Sequence, residues 1–160
     1  MKKNTILLLF LLISILTIGS NKTAIVEVTV DILRPITITK ISDVDFGSIS
    51  IGSSNVTVKQ EGKIAITGYG NIKVEWKALE GSEFKSIKEN LEVPIYNSAR
   101  KAITTKLMVK DLNSLNGNNI KITKLTGEEF SIGGVIENVP VETEPGKYSG
   151  GIVIRATYVD

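Results

Sequence analysis

Residues 71–79 read "NIKVEWKAL". In an extended chain successive side chains point to opposite faces, so Ile72, Val74, Trp76 and Ala78 share one side while Lys73, Glu75 and Lys77 share the other. A period of two with β-branched and aromatic residues on one face marks a strand buried on that face alone. The same period runs through much of the chain. In "AIVEVTVDIL", Val26, Val28, Val30 and Ile32 oppose Glu27, Thr29 and Asp31. "PITITKI" alternates through Ile36 and Ile38 and, after Lys40, breaks register near Ile41. "NVTVKQ", "KIAITG", "LEVPIYN", "ITTKLMVK", "NIKITKL" and "GGIVIRATYV" read as further strands. Pro94 has no N–H to donate, which assigns its strand to a sheet edge.

Turn-forming residues separate these runs at 31–35, 52–54, 68–71, 113–119 and 144–147. Pro145-Gly146 suits the centre of a type II turn, because proline presets the first dihedral and glycine accepts the positive one. Only "EGSEFKSIKENL" leans towards helix, with Ser82 placed to cap a short turn. Short strands spaced by turns, without strand–helix alternation, predict an all-β sandwich or barrel. No repeat, low-complexity stretch or linker divides the chain.

The first twenty residues, "MKKNTILLLFLLISILTIGS", place Lys2 and Lys3 before an apolar stretch ending in small residues. That is the layout of a secretory signal peptide. The apolar stretch falls short of the roughly 20 residues that cross a bilayer, which disfavours a membrane anchor. Residues 21–160 are then expected to form one mature domain without an integral membrane span. The chain has 19 Lys and Arg against 17 Asp and Glu, and loss of Lys2 and Lys3 leaves 17 against 17. A neutral chain lacks the field that draws nucleic acid or anionic lipid, so neither is an expected partner. There is no cysteine, so an exported form would rely on its core and backbone pairing rather than on disulfides. There is no histidine either, which removes Ser-His-Asp and Cys-His catalysis and histidine-containing zinc sites. No enzyme, cofactor or metal is expected.

Three local patterns invite a chemical reading. Asp45-Phe46-Gly47, within "ISDVDFGSISIG" at 41–52, matches the tripeptide that holds nucleotide magnesium in protein kinases. No glycine-rich phosphate loop or H-R-D loop accompanies it. Asp43 and Asp45 begin a calcium-loop spacing, but Gly47 fills the third ligand position and no glutamate closes the loop. The expected roles are structural: Val44 and Phe46 bury on one face, the aspartates meet water or the turn, and Gly47 eases the bend. Glu128-Glu129 and Glu142 with Glu144 are carboxylate pairs, but strand neighbours face apart and do not define a cleft. Trp76, Tyr69, Tyr96, Tyr148 and Tyr158 could form a sugar-stacking platform. The register of Trp76 with Ile72 and Val74 places it in the core instead, and Tyr69, between two glycines, is the aromatic expected at the surface.

Two blocks, "ITITKISDVDFGSISIG" and "IGGVIENVPVETEPGKYSGGIVIRATYV", resemble a group of secreted bacterial domains of unknown function regarded as pilin-like or fimbria-like. The resemblance rests on Asp45-Phe46-Gly47, the Ile132-Gly133-Gly134 step, and Pro145, Gly146, Tyr148 and Gly150 ahead of a closing strand with an aromatic near its end. It implies an immunoglobulin-like sandwich and a subunit of a surface fibre, secreted to the cell surface, that self-associates or joins related surface subunits. Physics supplies a route: an unpaired sheet edge accepts a strand from a neighbour, and residues 24–33, anchored by Val26, Val28, Val30 and Ile32, have the donor pattern. The same segment could instead open its own sheet. The alternative role is a monomeric module binding glycans or matrix through Tyr69. The need for an assembly chaperone stays open.

Overall fold

Eleven strands follow one another with no helix among the described residues. The computed structural model describes residues 27, 29, 30, 32–110, 115–116, 119–123 and 126–159. The expected signal segment, Val26 and Val28 lie outside them. From Ile32 onward the chain forms one compact unit. Its strands are β1 (Thr37–Ser42), β2 (Ser54–Thr57), β3 (Gly62–Thr67), β4 (Gly70–Ala78), β5 (Lys85–Ser86), β6 (Leu91–Tyr96), β7 (Ala102–Lys110), β8 (Leu115–Asn116), β9 (Asn119–Ile122), β10 (Glu128–Asn138) and β11 (Ile152–Tyr158).

All pairings are antiparallel. One sheet runs β1-β3-β10-β7-β6, with β2 continuing along the β3 side of β10. The other runs β11-β4-β9-β8, with β5 also on β4. The inward residues of both sheets meet in one core: Ile64 and Ile66 of β3, Ile72, Val74 and Trp76 of β4, Val93 of β6, Leu107 of β7, Ile120 and Ile122 of β9, and Phe130 and Ile132 of β10. The chain is therefore a β-sandwich, as its alternation predicts, and the quoted stretch is the central strand of its second sheet.

Local expectations translate unevenly. The register break near Ile41 is a β-bulge, since Lys40 pairs with Ile64 while Ser42 pairs with Lys63. Pro94 lies on β6, the outer strand of its sheet. The helical leaning of "EGSEFKSIKENL" is not realised: it holds β5 and turns, and Ser82 lies at a bend. Buried Ile87 and half-buried Phe84, which Arg155 covers with its guanidinium 4.0 Å from the ring centre, draw this stretch flat along β4. Gly146 takes a positive φ of 155°, but Pro145-Gly146 forms a bend rather than a hydrogen-bonded turn.

The strand expected over residues 24–33 is also absent where it is described. Glu27, Thr29, Val30, Ile32 and Leu33 belong to no strand, and Val30 and Ile32 are 79% and 88% exposed. Alternation supplies a face to bury, but it does not supply a partner strand.

Candidate functional site

The pairings give the sandwich two ends. At the proximal end β1 begins, β3 finishes and β11 closes. At the distal end β4 and β6 finish and β11 begins. The resembling blocks are tied together between these ends.

Val44 and Phe46 pack against the core from the chain that follows β1. Two glycines in the sheet leave them room. A Cβ on Gly62 would sit 2.7 Å from Val44 Cγ2, and one on Gly134 would sit 3.4 Å from Phe46 Cζ. The backbone between them is fixed as well, because Asp45 N–H donates to the Gln60 carbonyl at 3.0 Å and the Asp45 carbonyl accepts from Lys59 and Gln60. Asp45 Oδ1 accepts from Gly47 N–H at 2.8 Å, where Gly47 turns with φ 69°. Asp43 pairs with Lys40. The tripeptide is a latch across β3 and β10, and its carboxylate serves its own turn. Phe46→Ala is expected to lower unfolding free energy by about 2 kcal/mol, below the ~3–5 of a fully buried ring because Phe46 is half-buried. Urea titration measures it, and a near-neutral result would show that the ring adds nothing to the core.

The closing block holds two edges together. Ser149 and Tyr96 exchange backbone hydrogen bonds of 2.8 and 2.9 Å, covering the end of edge strand β6. Gly150 passes so close that a Cβ there would lie 2.6 Å from the Pro94 carbonyl oxygen. Tyr148 Oη donates to the Glu144 carbonyl at 2.9 Å and accepts from Asn97 Nδ2 at 3.3 Å. At the proximal end, Tyr158 Oη donates to the Arg34 carbonyl and accepts from Tyr69 N–H. The last strand thus clamps the chain entering β1.

Between these ties the core is thinly covered along β1 and β11. Among the described residues, the half-buried apolar side chains packed against the core come from 36–46 and from β11: Ile36, Val44, Phe46, Ile152, Ile154, Ala156 and Tyr158. Every residue of β1 is exposed or half-buried, and Ile38, paired with fully buried Ile66, is itself 38% exposed. Among the described residues both β1 and β11 are terminal in their sheets, so each has an edge that no described strand pairs.

The aromatics do not assemble into a platform. Trp76 is fully buried with Nε1 donating to the Glu89 carbonyl at 3.1 Å, and Tyr148 and Tyr158 are committed to their ties. Tyr69 is 56% exposed at the proximal end. On the outer face of the second sheet, Lys73 and Arg155 flank Glu75 at 2.8 and 2.7 Å and hold its carboxyl below the usual range. Among the described residues no three Asp, Glu, His or Cys converge on a metal position.

A distal cleft joins elements that the sequence does not link. Leu79 and Glu80 follow β4, Pro94 and Tyr96 end β6, and Arg100 lies in the turn to β7. Asn97 builds that turn, its Oδ1 accepting from the Ala99 and Lys101 N–H groups at 3.0 and 2.8 Å. Arg100 is forced to φ 57° there, reaching Glu80 at 3.4 Å with its guanidinium 5.5 Å from the Tyr96 ring centre. A hydrogen bond to Glu80 pushes the Tyr96 phenol pKa up. Sequence reading misses this cluster because only the backbone conformation of Arg100 distinguishes it from any surface arginine.

Fold and site together define an all-β sandwich domain with thin cover along β1 and β11 and no histidine or cysteine. The chain belongs to the family described as Domain of unknown function (DUF4402), which matches residues 36–158. The match begins just before β1 and ends at the last residue of β11, so it contains every described strand. No curated protein matches the chain.

Proposed function

We propose that the protein is a non-enzymatic, secreted structural subunit of a bacterial, pilin-like surface fibre, joined to its neighbours by donation of residues 24–33. The observation that carries this reading is the thin cover along β1 and β11, each terminal in its sheet, together with the exposure of Val30 and Ile32. The segment supplies what that cover lacks, an alternating apolar face and backbone groups for a free edge. Ten extended residues span about 33 Å, comparable with the longest strand of the acceptor.

Topology sets the direction. The chain enters the domain at the proximal end, where Tyr158 holds Arg34. If that end meets the distal end of the next copy, residue 33 lies at the neighbour's distal end and residue 24 towards its proximal end. The donated strand then runs antiparallel to β11 and parallel to β1. Donor and acceptor surfaces differ, so the contact is head-to-tail and propagates instead of closing.

Deletion of residues 24–33 is expected to leave a folded monomer and abolish a heat-labile ladder of oligomers in a denaturing gel. Size-exclusion chromatography of the native material checks the same point. A folded deletion variant that assembles undiminished would sink the proposal.

A further inference from the structure

The distal cleft is built from side chains other than those of residues 24–33, and its chemistry points to a ligand of its own. The opposite charges of Glu80 and Arg100 cancel in it. An anion entering would meet the Glu80 carboxylate, and a cation would meet the Arg100 guanidinium, so neither is favoured overall. What the cleft offers is an apolar wall, Pro94 and Leu79, the latter 63% exposed. Beside that wall stand one strong acceptor, Glu80, one multiple donor, Arg100, and the Tyr96 hydroxyl. The Glu80–Arg100 contact of 3.4 Å is loose, with both side chains at least half exposed, so hydroxyl groups can take either partner.

Arg100 itself calls for an explanation. Two described residues other than glycine have positive φ, Asn55 at 53° and Arg100 at 57°. Asparagine tolerates that region readily, and arginine does not. An exposed ion pair contributes too little to stability to select arginine at such a position. Strained backbone gathers where a side chain must be aimed. Here the strain aims the guanidinium at the cleft mouth, over Tyr96 and against Glu80.

We propose that this cleft binds a neutral pyranose ring, its apolar face against Leu79 and Pro94 and adjacent hydroxyls shared between Glu80 and Arg100. The combination of an apolar wall with a few convergent polar groups is that of a small-molecule site. This is a site distinct from Tyr69, which lies at the opposite end of the sandwich.

Isotope-labelled full-length protein titrated with methyl glycosides of mannose, galactose, glucose and N-acetylglucosamine tests it. At least one glycoside should shift the amide resonances of residues 79–80 and 96–100 saturably, with Kd on the order of 1 mM, a weak affinity. Arg100→Gly should weaken that binding at least about 10-fold, a loss of about 1.4 kcal/mol, while its urea midpoint stays equal to or above that of the parent, because glycine accepts the positive φ. Glu80→Gln, which keeps the shape and removes the charge, should weaken binding by a similar factor. Tyr69→Ala should leave it unchanged. Absence of saturable shifts with all four glycosides, shifts confined to the Tyr69 end, or full binding by both cleft variants would overturn the assignment.

Discussion

Trp76→Ala is expected to destabilise the domain by about 4–5 kcal/mol, a large fraction of the roughly 5–15 kcal/mol that holds a typical domain folded. Three features set this at the upper end of the range for large-to-small core changes. Trp76 is fully buried in the strand that pairs with both β11 and β5, so the void opens where the second sheet is held from both sides. Its neighbours Val74 and Ile87 are fully buried as well, and a close-packed interior collapses only partly into such a void. The substitution also leaves the Glu89 carbonyl without the indole N–H that it accepts at 3.1 Å. Chemical denaturation followed by far-ultraviolet circular dichroism measures the loss. Trp76→Phe separates the contributions, since it retains most of the volume and should recover more than half of the loss. A loss below about 2 kcal/mol for Trp76→Ala would place the indole outside the core, against the burial described.

Gly127→Ala is expected to cost about 3 kcal/mol or more, although it adds a single methyl group. Gly127 precedes β10 with φ 76°, which a residue with a Cβ rarely adopts. The added carbon would stand 2.3 Å from the Ile66 carbonyl oxygen and 2.8 Å from Thr67 Cγ2. The oxygen belongs to backbone that cannot readily withdraw. Ile66 pairs with Ile38 on one side and Glu128 on the other, so moving it disturbs β1, β3 and β10 together. Gly146→Ala is the matched control: φ is again positive, at 155°, but a Cβ there would meet nothing within 4 Å. Its expected cost is about 1 kcal/mol. Equal losses for the two variants would assign the whole effect at Gly127 to dihedral strain and none to the contact with β3.

These two positions also show how much was legible beforehand. Trp76 could be placed from its register with Ile72 and Val74, because facing is a local property of an extended chain. The bulge at Ile41 was legible for the same reason. β10 was not, although it is the longest strand and centres the first sheet. Its inward series, Phe130, Ile132, Gly134 and Ile136, is interrupted by a glycine that alternation counts as a break. The break has a use: a Cβ on Gly134 would lie 2.7 Å from Leu107 Cδ2 and 3.0 Å from the Lys106 carbonyl oxygen, with the Phe46 ring beyond. The glycine marks the close approach of segments far apart in the chain. Nothing local to residue 134 reveals it.

The sites divide in the same way. Val26, Val28, Val30 and Ile32 stood out by pattern, whereas the edge that such a strand could join became visible only once β1 and β11 were found at the margins of their sheets. Glu80 and Arg100 carried no pattern at all, and Tyr96 stood out only as one of several aromatics.

By itself the sequence determined that the described chain is all-β, that Trp76 lies inside, and that the backbone turns at Gly47. Those properties follow from side-chain direction and dihedral preference within a few neighbouring residues. Tertiary structure alone decided that Phe46 rests over Gly134, that β1 and β11 are the thinly covered strands, and that Arg100 faces Glu80 across a cleft. Each of these depends on which distant segments approach, and approach is governed by packing summed over the whole core, which no local period encodes.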